Sequence, residues 1–318
     1  MGERVARRGL LVIGLVTAAF TAAAIVAALP TRYEVEGLSM APGLMPGDVV
    51  ATGWLPIRDR WRVPRRFDRW IVSAPDAAAA VKRVLGLPGE TVAVVDGDVA
   101  VGGTMVLKSP AVLAALALEL PTPAGLVEPR HLRLPRQEVL DDAPFATEVN
   151  RPLEPAHDVG LAAIVRTGTA PTRIRVGVDG TQITWRLPAN ARGCFVAGRL
   201  DGHVVAVGWR LPANAALARS GLPKRSPHAW SLATPSPRHD DGLAPALTLD
   251  VDAPDATVER LSLWRDLHYR GVDGGPAVWT LGPNEHVVLG DFPTGSRDSR
   301  LWGPLSRKNL RHRIPSHP

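Results

Sequence analysis

Three short stretches of this chain carry side chains suited to hydrolytic chemistry. The first, 34-EVEGLSMAPGLMPGDVV-50, holds one hydroxyl, Ser39, among Gly, Met and Pro residues that shape the backbone rather than fill a core. On its own such a serine is a turn residue and a weak nucleophile. It becomes a catalyst when a base within hydrogen-bond reach takes its proton. The second stretch, 81-VKRVLGLPGE-90, offers such a base in Lys82, which follows a β-like run and precedes a tight loop enforced by Gly86, Pro88 and Gly89. A lysine acts as a base near pH 7 only if its pKa falls about three units from its ordinary value near 10.4, at a cost of about 4 kcal/mol. Desolvation among apolar neighbours supplies that shift, and Arg83 adds to it only if it points inward. Without burial, Lys82 and Arg83 are surface charges. The third stretch, 286-HVVLGDFPTGSRDSRLWGPL-305, runs from an apolar strand into a loop with Ser296, Asp298, Ser299 and Arg300. A hydroxyl there can orient a neutral lysine, and Asp298 can pair with Arg300 to fix the loop. By spacing alone it is also an ordinary charged turn.

These residues need elements to hold them. The 30 Pro and 30 Gly of the 318 residues favour short strands and many turns, so a mainly β body is expected, in roughly two domains or one domain with a large insertion. The one cysteine, Cys194, excludes an internal disulfide and a cysteine metal cluster. A net charge of +6 suits anionic lipid or nucleic acid, but the basic residues are scattered and few aromatics interleave them, so no nucleic-acid partner is expected.

Residues 9–29, GLLVIGLVTAAFTAAAIVAAL, are uncharged throughout, and a helix of that length spans roughly 30 Å of hydrocarbon. Arg4, Arg7 and Arg8 precede it against Glu3 alone, which keeps the N-terminus in the cytoplasm and sends the rest across the membrane. A cleavable secretory signal is the other reading of this segment, and the body is exported in either case. Short strands are expected in 46–54 and 67–75. A hairpin is expected in 91–103, where Asp96-Gly97 supplies the positive φ of a tight turn. A short helix fits 111–120, and the Pro-rich stretch 121–135 reads as a boundary. Beyond it, 174–178 and 181–187 flank Asp179-Gly180, while 194–200 and 203–211 flank Asp201-Gly202. WRLPAN occurs at 185–190 and again at 209–214. Two copies are too few for a solenoid, so the repeat fits a β-meander. With strands at 246–251 and 258–264 it completes two packed sheets, with Trp185, Trp209 and Trp264 as candidate core or groove aromatics, core being favoured over a ligand platform for each.

Taken together and in order, the apolar span, GLSMAPGLMPGD, VKRVLGLPGE and LGDFPTGSRDSRLWG resemble type I signal peptidase, the membrane-bound serine protease with a Ser/Lys dyad. The resemblance covers about residues 9–108 and 284–305. It puts the nucleophile on Ser39, the general base on Lys82, the lysine-orienting serine on Ser296, and the structural Asp and Arg on Asp298 and Arg300. Leu38 and Met40 are the nearest candidates for the substrate pockets. The chain departs from the family pattern at Gly37, where some members carry a serine that helps bind the oxyanion, and at Gly43 and Phe292. The organisation implied is a cytoplasmic N-terminus 1–8, a transmembrane helix 9–29, a catalytic β domain 30–120, an inserted β-sandwich 121–275, and a returning catalytic part with a basic tail 276–318. That tail, 306–318, has a composition that suggests disorder.

The resemblance implies an endopeptidase that removes signal peptides from exported precursors after small residues, single-pass in the bacterial cytoplasmic membrane with its catalytic domain on the outer face. The lipid bilayer and the precursors are its partners, and no cofactor or metal is needed. A different class is also open: a membrane-tethered β domain with a degenerate dyad, whose insert binds a partner or a glycan. A self-cleaving repressor would need a DNA-binding helical module where this chain has its apolar span.

Overall fold

The computed structural model describes residues 15–25, 29–53, 56–121, 127–128, 130–142, 152–216, 222–223, 226–236, 241–271 and 277–315. It is mainly β, as the turn-rich composition requires, and divides into two compact units, 1–91 with 279–318, and 92–278.

In the first unit a four-stranded sheet has the order Val288–Leu289, Ala77–Val84, Arg69–Ala74, Leu310–Ile314, with antiparallel pairing throughout. Its two faces bury different residues. Ile71 and Ile314 pack with Val35, Met40, Leu44 and Val50, while Trp70, Val72, Val84, Val288 and Leu310 pack with Leu305. The strand Arg32–Glu34 pairs with Val49–Ala51 and brackets the segment that holds Ser39. The basic tail is ordered as far as Ile314, contrary to its composition: Leu310 and Ile314 are buried, and the strand closes one edge of the sheet against Arg69–Ala74. The burial of two apolar residues four apart outweighs the charges between them.

Of the expected membrane span, 15–25 is helical and fully exposed, with Leu15, Val16, Phe20 and Ile25 facing outward, and the remainder lies largely outside the described residues. Among the described residues no helix is long and apolar enough to cross a membrane.

The second unit is a sandwich. One sheet runs Thr181–Leu187, Thr172–Val178, Leu247–Asp252, His131–Leu134, Val127–Glu128. The other runs Leu232–Pro235, His203–Arg210, Arg192–Leu200, Val159–Arg166, Thr257–Arg265, Leu118–Leu120. Period-two alternation turns Leu132, Leu134, Ile174, Val176, Leu247 and Leu249 inward against Leu161, Ala163, Phe195, Ala197 and Leu263. The helix Pro110–Leu116, capped by the Ser109 hydroxyl, covers the second sheet's outer face through Leu113 and Ala114, which pack with Ile164, Val196 and Trp264. Val159–Arg166 is thus covered on both faces, and its near-continuous apolar sequence matches that burial. Because Leu118–Leu120 pairs with Thr257–Arg265, the second unit takes in the hairpin and helix that precede residue 121. Trp264 is fully buried, whereas Trp185 and Trp209 are half-buried, with the Trp185 ring 5.2 Å from that of Phe195.

Candidate active site

Lys82 and Arg83 are both buried, at 2% and 4% exposure, which removes the reading of either as a surface cation. Neighbours on a strand point to opposite faces. Lys82 pairs across to Trp70 and shares its face, while Arg83 pairs to Arg69. Arg83 therefore points inward on the face away from Lys82, where its Nε donates to Asp291 Oδ1 at 2.7 Å and its Nη2 to Asp291 Oδ2 at 2.5 Å. This two-pronged ion pair ties the end of the strand Ala77–Val84 to the start of the loop that carries Ser296.

That loop is organised around one carboxylate. Asp298 is fully buried and accepts from the backbone N–H of Gly290 at 2.9 Å, from the Ser296 hydroxyl at 2.7 Å, and from Arg300 Nε at 2.8 Å and Nη2 at 2.6 Å. It also caps the short helix Ser299–Trp302 through the Arg300 N–H. Next along, Ser299 accepts from the Val288 N–H at 2.9 Å. The charged turn is a scaffold with every carboxylate oxygen of Asp298 engaged.

Lys82 Nζ donates to Ser296 Oγ at 3.2 Å, so a chain of hydrogen bonds runs Lys82, Ser296, Asp298. The indole of Trp302 lies with its ring centre 6.0 Å from Nζ. Burial pushes the Lys82 amine down from 10.5 to about 8, opposed by the negative charges of Asp298 and Asp291 and slightly aided by Arg300. An amine in that range has an appreciable neutral fraction near pH 7.

Ser39 sits in the turn before buried Met40 and is itself half-buried. Its carbonyl accepts from the Phe292 N–H at 3.1 Å, which docks the segment onto the Lys82-side loop. Gly290 shows how close this docking is. A Cβ added there would stand 2.2 Å from Ser296 Oγ and 2.4 Å from the Ser39 carbonyl oxygen. Ser39 and Ser296 therefore flank one glycine, and Ser296 in turn holds Lys82. Among the described residues the Ser39 hydroxyl makes no hydrogen bond, and the Lys82 ammonium is directed at Ser296. Leu38 is 48% exposed, whereas Met40, at 1%, lies in the core with Val35, Leu44 and Ile71. Gly37 is exposed, and nothing stands within 4 Å of a Cβ placed on it. Sequence reading passed over Asp291 and Gly290. The signal for both was the Gly-Asp pair closing an apolar strand.

Comparison with known proteins agrees with the motif reading. Residues 8–118 match the family model described as signal peptidase, peptidase S26. The chain is 36% identical over 74 residues to Signal peptidase I V of Bacillus subtilis (strain 168), an alignment that covers 23% of this chain and 43% of that relative. The chain thus spans less than half the length of the curated relative it matches. Residues 8–118, the stretch that the family model matches, include Ser39 and Lys82.

Proposed function

We propose that the chain is a membrane-anchored serine endopeptidase that removes signal peptides from exported precursors after small residues, with Ser39 as nucleophile and Lys82 as general base. The observation that carries this reading is a buried lysine with a lowered pKa, held by Ser296 beside the Ser39 segment. Ser296 accepts an N–H from Lys82 and passes its own proton toward Asp298, which orients the amine and leaves its lone pair for Ser39 when the lysine is neutral. Asp298 and Arg300 hold Ser296 and do not touch the substrate.

In the proposed reaction Lys82 Nζ takes the Ser39 proton as Oγ bonds to the scissile carbonyl carbon. The Ser39 N–H is the donor available to the oxyanion, because Gly37 supplies no side-chain donor. The C–N bond then breaks, the leaving amine receives the proton from Lys82, and an ester remains on Ser39. Water attacks that ester, gives its proton to Lys82, and the proton returns to Ser39 as the acid product leaves. Closing the Ser39 to Lys82 hydrogen bond is assigned to the substrate complex, since catalytic contacts often tighten only there.

Leu38 is the proposed apolar contact for the small side chains before the cut, and an extended substrate would pair with an exposed strand edge. The exposed apolar residues of 15–25 suit the inner part of a lipid-embedded helix, with the N-terminus cytoplasmic and the catalytic unit on the outer face of a bacterial cytoplasmic membrane. The anchor would then place the site where precursors emerge beside their own apolar segments. The test is to reconstitute the full chain in lipid vesicles with an exported precursor and determine the product's new N-terminus. A single cut after a small residue behind the apolar segment is expected; an intact precursor with folded protein favours a tethered binding domain instead.

A further inference from the structure

The second unit gathers four carboxylates, Asp98, Asp158, Asp201 and Asp266, so tightly that one oxygen from each lies within 4.8 Å of the others. All four are buried, at 2%, 7%, 0% and 3% exposure. Lys108 reaches three of them: its Nζ contacts Asp201 Oδ1, stands 2.7 Å from Asp266 Oδ2 and 3.5 Å from Asp98 Oδ1. Counting these five side chains at their ordinary charges, four negatives meet one positive.

Backbone donors take two more oxygens, Asp158 Oδ2 from the Asp201 N–H at 2.7 Å and Asp201 Oδ2 from the Lys108 N–H at 2.8 Å. Asp158 Oδ1 and Asp266 Oδ1 are left with no hydrogen-bond donor among the described residues. A buried carboxylate oxygen without a donor is costly, by a kcal/mol or more. The packing leaves a small cavity whose lining includes Asp98, Asp158, Asp266, Gly97, His157 and His268, with room for about one water-sized species. Lys108 alone does not account for the arrangement, since Asp158, which lines the cavity together with Asp98 and Asp266, is the carboxylate it does not contact.

We propose that this cluster binds a single hard divalent cation, held by Asp158 Oδ1, Asp266 Oδ1 and Asp98 in the cavity beside Lys108. The donors are carboxylate oxygens, which suit calcium or magnesium and not a thiolate-seeking metal. Calcium fits better, because magnesium dehydrates reluctantly and the cavity has no space for its several waters. The ion would join the hairpin turn after Val95, the chain entering Val159–Arg166 and the end of Thr257–Arg265. It would therefore act on the stability of the second unit, independently of peptidase chemistry.

The full chain, stripped of metal and then titrated separately with CaCl2 and MgCl2, should take up one ion per molecule, and about 1 mM calcium should raise its Tm by several degrees. Asp158→Asn still accepts the Asp201 N–H and should fold, yet lose both the bound ion and the calcium-dependent rise. Asp266→Asn should do the same, whereas Asp252→Asn, at an exposed position, should respond like the parent. Absence of stoichiometric metal with an unchanged Tm overturns the proposal and leaves a self-contained ion-pair network around Lys108. So does a calcium response that survives in both Asp158→Asn and Asp266→Asn, since the ion would then sit elsewhere.

Discussion

In the proposed mechanism Lys82 has to lose its own proton before it can take one from Ser39. With burial setting its pKa at about 8, kcat/KM should rise as pH climbs through about 8 and level off above it, because the neutral amine is the active form. A flat profile across that range would remove Lys82 as the base. The same shift bears on stability. The folded pKa lies below the unfolded 10.5, so the folded state binds fewer protons between about 8 and 10.5. The cost of the buried charge is full below pH 8 and relieved as pH rises to 10.5. A shift of that size corresponds to about 3 kcal/mol at most. Lys82→Met should therefore unfold at higher denaturant than the parent at pH 7 while losing activity, which urea melts of the two proteins would compare. Ser296→Ala breaks the chain from Lys82 to Asp298, and should lower kcat by about 10- to 1,000-fold with KM little changed. At Gly37 the space around Cβ is open, so Gly37→Ser should fold as well as the parent. If its hydroxyl reaches the oxyanion, kcat should rise by about tenfold or more in the same assay.

The strand Ala77–Val84 and the loop after Leu289 are what turn five scattered residues into a site. Arg83 and Asp291 bind them together from the face opposite Lys82, both buried. Asp291→Asn should cost about 3–5 kcal/mol in chemical denaturation, because it leaves a buried guanidinium without its carboxylate. Gly290→Ala tests the packing more narrowly, since its methyl would collide with Ser296 Oγ and the Ser39 carbonyl. The expected outcome is a loss of cleavage much larger than the loss in Tm. Much of this scale was legible in the sequence. Asp96, Asp179 and Asp201, each followed by Gly, have φ of 48°, 45° and 49°, so each Asp-Gly turn forms as its dipeptide demands. Lys82 and Ser296 were legible as a pair only through the motif order. Their hydrogen bond joins residues 214 positions apart, and nothing local in either segment specifies it. The Asp98, Asp158, Asp201 and Asp266 cluster was not legible at all, because each residue reads singly as a turn or strand-end carboxylate.

Over the whole molecule, composition read the tail as unstructured, yet it forms an edge strand. Arg307 lies over the Trp70 ring at 4.9 Å and donates to the carbonyls of Asp59, Arg60 and Arg62, so its charge is spent within the fold. A chain ending at Ser306 should consequently lose cooperative unfolding of the first unit, measured by near-ultraviolet circular dichroism, whereas one ending at Pro315 should not. The mainly β body and the sandwich strands followed from alternation and turn residues. The limits of the two units did not, since they depend on which distant strands pair. The anchor proposal belongs to this scale as well: removing residues 1–29 should lower cleavage of precursors in vesicles far more than cleavage of a short soluble peptide. The dyad itself is tested most directly by precursor cleavage with purified Ser39→Ala and Lys82→Ala proteins, each first shown to be folded. Both should reduce the rate by at least about 1,000-fold, and the double variant should be little worse than either alone, as expected for groups that act as a unit. Cleavage at the parent rate by either single variant would contradict a Ser39 and Lys82 mechanism.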